Sequence, residues 1–108
     1  MVAEKRKHKR KYLDYYCDTK FVHKGQEGNA LMINLSPVGA GFLIHQRQPM
    51  GLAVGDKLEL TVDTPHGESK CTGEVRWVNS VTSGICFGVS FEGALPDDDP
   101  LLQLANEP

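Results

Sequence analysis

Arg6 and Arg10 stand four residues apart near the start of the chain, and Asn34, Ser36 and Gly39 form an N-x-S-x-x-G pattern 24 residues further on. The arginine spacing lets two guanidinium groups converge on one ligand, from a single helical turn or from a loop spanning at most ~14 Å. Catalytic groupings are missing. His8, His23, His45 and His66 are scattered, with neither an HxxxH pair nor a spaced cysteine or acidic partner, so they read as exposed or simply hydrogen-bonded side chains, and no metal site is expected. Ser36 lies outside any GxSxG elbow and has no evident His-Asp pair to activate it, which argues against a hydrolase. Gly39-Ala40-Gly41 follows a strand as a dinucleotide loop does, but it leads into the strand-like Phe42-Leu43-Ile44 and lacks a third glycine. By itself it is a tight turn, with Gly39 at positive φ and Ser36 closing the turn through its side chain. Asn34-Leu35-Ser36 also matches a bare glycosylation pattern, an accidental match because proline follows and no export signal precedes. The chemistry on offer is binding, and no enzyme is expected.

Charge places that binding. Residues 1–12 carry six lysines and arginines against Glu4 alone, a net +5, while residues 13–108 carry −7, so the overall −2 hides a basic arm on an acidic body. Such asymmetry points to a polyanion bound locally, since a broad nucleic-acid surface would make the body basic as well. The remaining composition is that of one ordinary domain: 108 residues, 40% hydrophobic and 24% charged. No apolar run approaches ~18 residues and the start lacks a secretory segment, so neither membrane insertion nor export is expected. Cys17, Cys71 and Cys86 form neither a disulfide framework nor a CxxC pair, which fits reduced thiols and a cytoplasmic location.

The elements that must hold these residues are strands. Period-two segments broken by glycine and proline predict Tyr15–Val22, Asn29–Leu35, Gly41–His45, Lys57–Asp63, Ser69–Asn79 and Cys86–Phe91. Turn signals fall at Lys24-Gly25, Pro49-Met50-Gly51, Gly55-Asp56, Pro65-His66-Gly67 and Ser83-Gly84. Leu58, Leu60 and Val62 supply an inward face, with Lys57, Glu59 and Thr61 outward. Six short strands predict an all-β, six-stranded antiparallel β-barrel, because closure removes exposed edges. At the far end, Asp99 as N-cap and Pro100 as first helical residue predict a short C-terminal helix carrying Leu101, Leu102, Leu104 and Ala105. Asp97-Asp98-Asp99 followed by proline lacks the spaced ligands and glycine turn of a calcium loop. The expected organisation is a flexible basic arm over 1–12, a barrel over 13–95 and a helix or tail over 96–108.

The paired arginines followed by Asn34-x-Ser36-x-x-Gly39 resemble the RxxxR and (D/N)xSxxG motifs of the PilZ domain family, bacterial receptors for cyclic di-GMP. Gly73-Glu74-Val75-Arg76-Trp77-Val78 and Gly84-Ile85-Cys86-Phe87-Gly88-Val89-Ser90-Phe91 look like that family's late strands, and the likeness covers roughly residues 4–92. The resemblance implies a second-messenger binding domain with cyclic di-GMP as ligand and no other cofactor, held by Arg6, Arg10, Asn34, Ser36 and Gly39. Arginine suits both halves of that ligand, since its fork donates two hydrogen bonds to guanine O6 and N7 or to a phosphate, and its plane stacks on a base. Asn34 and Ser36 suit further guanine edge atoms, and Gly39 allows close approach without a Cβ. Lys5 occupies a place where a further arginine is frequent in the family, and adds charge without the fork. Gly41 and Trp77 are secondary candidates, the tryptophan either stacking on ligand or filling the barrel.

The expected mechanism is that ligand orders the arm onto the barrel and changes the surface shown to an effector protein, not identified by the sequence. Two alternatives stand beside it: a nucleotide-independent adaptor of the same fold, and a small β-barrel that binds nucleic acid through the arm. Retention of every motif residue argues against the first. An acidic body with only 7% aromatic residues and no evident stacking platform argues against the second.

Overall fold

A computed structural model of the chain describes residues 11–45 and 51–107, leaving aside the side chain of Tyr15. Six strands follow one another: β1 (Lys11–His23), β2 (Gln26–Ser36), β3 (Gly39–Ile44), β4 (Lys57–Thr64), β5 (Gly67–Val81) and β6 (Gly84–Phe91), with a terminal helix α1 (Pro100–Ala105). They close into a barrel in the order β1-β2-β3-β6-β5-β4, every pair antiparallel. The expected all-β barrel is therefore the observed fold.

Tight hairpins account for most of the order. Lys24 (φ 50°) and Gly25 (φ 79°) both take the left-handed conformation, the paired requirement of the two-residue turn that matches strand twist, and they join β1 to β2. Pro65-His66 joins β4 to β5, where Thr64 Oγ1 accepts from His66 N at 3.1 Å and donates to Gly67 O at 2.7 Å. The connection from β3 to β4 joins non-neighbours, and its end is held by Asp56. That carboxylate accepts from Ala53 N at 3.0 Å and pairs with the buried His23 Nε2 at 2.8 Å.

Alternation in β4 is as expected, with Leu58, Leu60 and Val62 buried and Lys57 and Glu59 exposed. The core is aromatic at its centre. Phe42 stacks on Phe87 with centroids 5.3 Å apart, and Phe21 meets Phe87 edge-on at 5.9 Å. Met32, Leu35, Leu58, Leu60, Val62 and Val75 complete it. Leu101 and Leu104 of α1 belong to the same cluster, so the helix is part of the core and not a tail. Asp99 caps α1 by accepting from Leu101 N at 2.8 Å, and also accepts from the buried Ser69 Oγ at 2.7 Å. At the other end of α1, Lys11 Nζ donates to Leu104 O at 3.0 Å and Glu107 O at 3.3 Å, as a cation suits helix carbonyls.

Several strands run longer than periodicity predicts. β1 begins at Lys11, so Lys11 and Tyr12, assigned from sequence to the arm, belong to the sheet, paired with Leu35 and Asn34. A register shift between Tyr12 and Cys17 breaks the period-two pattern there and conceals the strand. β5 extends to Val81 because polar Asn79 and Ser80 find ladder partners in Cys86 and Ile85.

Candidate functional site

Leu35, Phe42 and Phe87 point into the barrel, so their immediate neighbours Asn34, Ser36, Gly41 and Gly88 lie on its outer side. Strand pairing aligns them. Asn34 opposes Tyr12 on β1 and Gly41 on β3, Gly41 opposes Gly88 on β6, and Gly88 opposes Trp77 on β5, giving one row across five strands. The three register shifts among the described residues all abut this row: after Tyr12, before Asn34 and before Trp77. Such bulges re-aim side chains and are frequent beside binding sites.

Two side chains lean over the glycines of this seam. A Cβ on Gly41 would lie 2.7 Å from Asn34 Nδ2 and 2.8 Å from Oδ1, and a Cβ on Gly88 would fall on Trp77 Nε1. The absence of side chains at Gly41 and Gly88 therefore admits the amide and the indole, an instance of glycine in a strand marking a close approach. Asn34 is 4% exposed, and its Oδ1 has no hydrogen-bond partner among the described residues. A buried acceptor left unpaired costs ~1–3 kcal/mol, which makes this oxygen a point where a donor is strongly favoured.

A second row runs parallel, through Ser36, Gly39, Ser90, Glu74 and Lys57. Ser36 Oγ accepts from Val38 N at 3.3 Å and donates to Gly39 O at 3.4 Å, so it closes the β2–β3 turn as expected. Gly39 corrects its expectation. It is not among the residues at positive φ, and it is glycine because a Cβ there would run into the Val89 carbonyl oxygen of β6. Tight strand approach, not turn conformation, sets that position. At the far end of this row Glu74 accepts from Arg76 at 2.7 Å and pairs with Lys57 at 3.3 Å. Those two cations, the arginine first, hold the Glu74 carboxyl below the usual carboxylate range.

The structure thus brings Asn34, Ser36, Gly39, Gly41 and Trp77 onto one outer surface. Trp77, open to two roles from sequence, is half-buried over Gly88 and does not fill the barrel. Arg6, Arg10 and Lys5 lie outside the described residues; the chain that carries them joins the sheet at Lys11, beside Leu35 and between the two rows. Sequence reasoning missed Gly88 and Tyr12. Gly88 had a signal, as the small residue between two core positions of a strand, whereas Tyr12 had none until its partner was known. No cluster of three metal-ligating side chains occurs among the described residues, and none of their helices is long and apolar enough to cross a membrane. A depression of about 460 Å³ elsewhere on the wall, lined by Asp18, Asp63 and Glu68 with Lys20 among others, is acidic on balance and contains none of these site residues.

Comparison with known proteins adds the family. Among solved structures the barrel is similar to the PilZ domain of Escherichia coli YcgR with c-di-GMP, at TM-score 0.78 and 15% identity, covering 93% of this chain and 87% of that one. It is also similar to the Bacillus subtilis inhibitor of motility MotI/DgrA (TM-score 0.75, 17% identity, 95% and 50% covered). The K. pneumonia MrkH complex with c-di-GMP follows at TM-score 0.67 and 18% identity, with 95% and 50% covered. This chain spans about half the length of the last two. Among curated protein sequences none matches significantly. The PilZ domain family model matches residues 4–105, a span that takes in the arginine pair, the Asn34-to-Gly39 turn, the glycine seam and the capping helix. By that match, on a barrel of the same fold, the chain belongs to the PilZ domain family.

Proposed function

We propose that this domain is a receptor for cyclic di-GMP, bound on the outer surface that carries Asn34, Ser36 and Gly39 and clasped by Arg6 and Arg10. The observation that carries the reading is the placement of the motif residues: three of them share one surface, and the arm bearing the other two enters the sheet beside them. Arg10 is one covalent link from Lys11, whose ladder partner Leu35 separates Asn34 from Ser36. Two of the similar structures, the YcgR PilZ domain and MrkH, are bound to c-di-GMP, which supports the same ligand class here.

Each residue has a task in this reading. The arginine forks take phosphate oxygens and guanine O6 and N7, contacts that lysine at the same positions would not reproduce. Asn34 Oδ1, buried and without a partner among the described residues, accepts from a guanine N–H or from a guanidinium, and either bond relieves its desolvation cost. Ser36 keeps the turn in place and offers its remaining lone pair, while Gly39 keeps β3 close to β6 so that the surface stays shallow. Lys5 adds charge, Gly41 makes room for the Asn34 amide, and Trp77 borders the seam. The ten residues before β1 are strongly polar, and ordering them on the barrel is the step that converts ligand into a changed surface for an effector protein. The three cysteines are free thiols, consistent with work in a reducing cytoplasm.

Calorimetric titration of the full chain with cyclic di-GMP, GTP and a single-stranded oligonucleotide tests this. Saturable binding of cyclic di-GMP alone is expected. Binding of the oligonucleotide in preference would make the domain a nucleic-acid binder, and no binding of any of the three would make it an adaptor.

A further inference from the structure

Tyr12 is 73% exposed, the most exposed large apolar side chain among the described residues. Its neighbours in β1 are engaged elsewhere: Lys11 reaches the end of α1, and Leu13 packs against the core. Tyr12 therefore stands on the outer side of the barrel, directly opposite Asn34 in the ladder. The register shift that follows it sets β1 off its period at this point. A single exposed tyrosine needs no explanation in itself. This one stands beside a buried amide whose oxygen has no partner among the described residues, on the same row as two glycines and Trp77.

We infer that Tyr12 is the platform on which a guanine of the ligand stacks, an inference that rests on the cyclic di-GMP reading above. Residues opposed in an antiparallel ladder have Cβ atoms about 4.5–5.5 Å apart. A planar base lying on the Tyr12 ring thus presents its edge to the Asn34 amide within one strand spacing. The labour divides by chemistry. Stacking on a tyrosine face is available to any base and supplies affinity, whereas the Asn34 oxygen and the arginine forks distinguish one base edge from another. The Asn34 oxygen is itself shielded from solvent, so a hydrogen bond made to it there is stronger than one made in water. The phenol hydroxyl is not required, since the ring face makes the contact.

The test uses the full chain with cyclic di-GMP and compares wild type, Tyr12→Ala and Tyr12→Phe by calorimetry, with thermal unfolding to show that each variant is folded. Tyr12→Ala is expected to bind about tenfold more weakly, as the loss of one base–aromatic stack implies, and Tyr12→Phe to bind like wild type. In parallel, the aromatic NMR signals of Tyr12 are expected to move upfield on ligand addition under the ring current of the base. A Tyr12→Ala dissociation constant equal to wild type, or Tyr12 ring signals that do not move, overturns the platform while leaving the receptor reading intact. No binding by the wild-type chain overturns both.

Discussion

Gly88→Ala is the sharpest test of the seam, because one methyl group is set against one indole. The new Cβ would overlap Trp77 Nε1 and Cε2 and lie 2.9 Å from Cδ1. Gly88 is not at positive φ, so alanine suits its backbone and the whole effect comes from the tryptophan. Trp77 either stays and strains or rotates off the sheet. Strain from one added methyl costs ~1–3 kcal/mol. Rotation forfeits burial of roughly half of a side chain that buries 150–250 Å² when covered, which at about 25 cal/mol per Å² is again ~2 kcal/mol. A loss of about 2 kcal/mol is therefore expected in urea unfolding. Trp77 is the one tryptophan of the chain, so a red shift of the native emission reports its exposure in the same experiment. The decisive comparison is the double variant. Trp77→Ala alone costs a similar amount, and Gly88→Ala on that background should add almost nothing, because the obstacle has gone. Additive losses would refute the account and place the cost of Gly88→Ala elsewhere in the barrel.

Arg6→Ala and Arg10→Ala should each weaken cyclic di-GMP binding by ~1.5–3 kcal/mol in calorimetry without lowering the unfolding midpoint, and the lysine variants should recover little of it. Asp99→Ala removes the helix cap and the Ser69 bond together, so it should destabilise the fold by about 1–2 kcal/mol in urea unfolding. The hydrogen bond from His23, then that from the Ala53 amide, holds the Asp56 carboxyl below its ordinary value. That group therefore contributes stability that is complete above the ordinary aspartate pKa of about 4 and is lost as pH falls through the lowered folded value. Urea midpoints measured from about pH 6 to pH 3 should fall less steeply on the acid side in Asp56→Asn than in wild type.

What the sequence determined by itself was local. Alternation in Leu58, Leu60 and Val62, the Lys24-Gly25 turn, and Asp99 followed by Pro100 depend on backbone conformation and nearest neighbours, and the folded chain has all three. Motif spacing likewise marked Asn34, Ser36 and Gly39, with Gly41 and Trp77 as secondary candidates under the family resemblance, and the barrel brings all five to one surface. The faces of the strands were a tertiary matter. Side chains alternate with period two, so a register shift of one residue reverses which side a residue occupies. Shifts beside Tyr12, Asn34 and Trp77 cannot be read from composition, because they arise when paired strands of a closed barrel must coil together. Hence Trp77 stood open between core and surface until its opposition to Gly88 was known, and Tyr12 stood in the arm until it was found opposite Asn34. Gly39 shows the same division: the need for glycine was legible along the chain, but its reason, the Val89 carbonyl, lies on a strand fifty residues away.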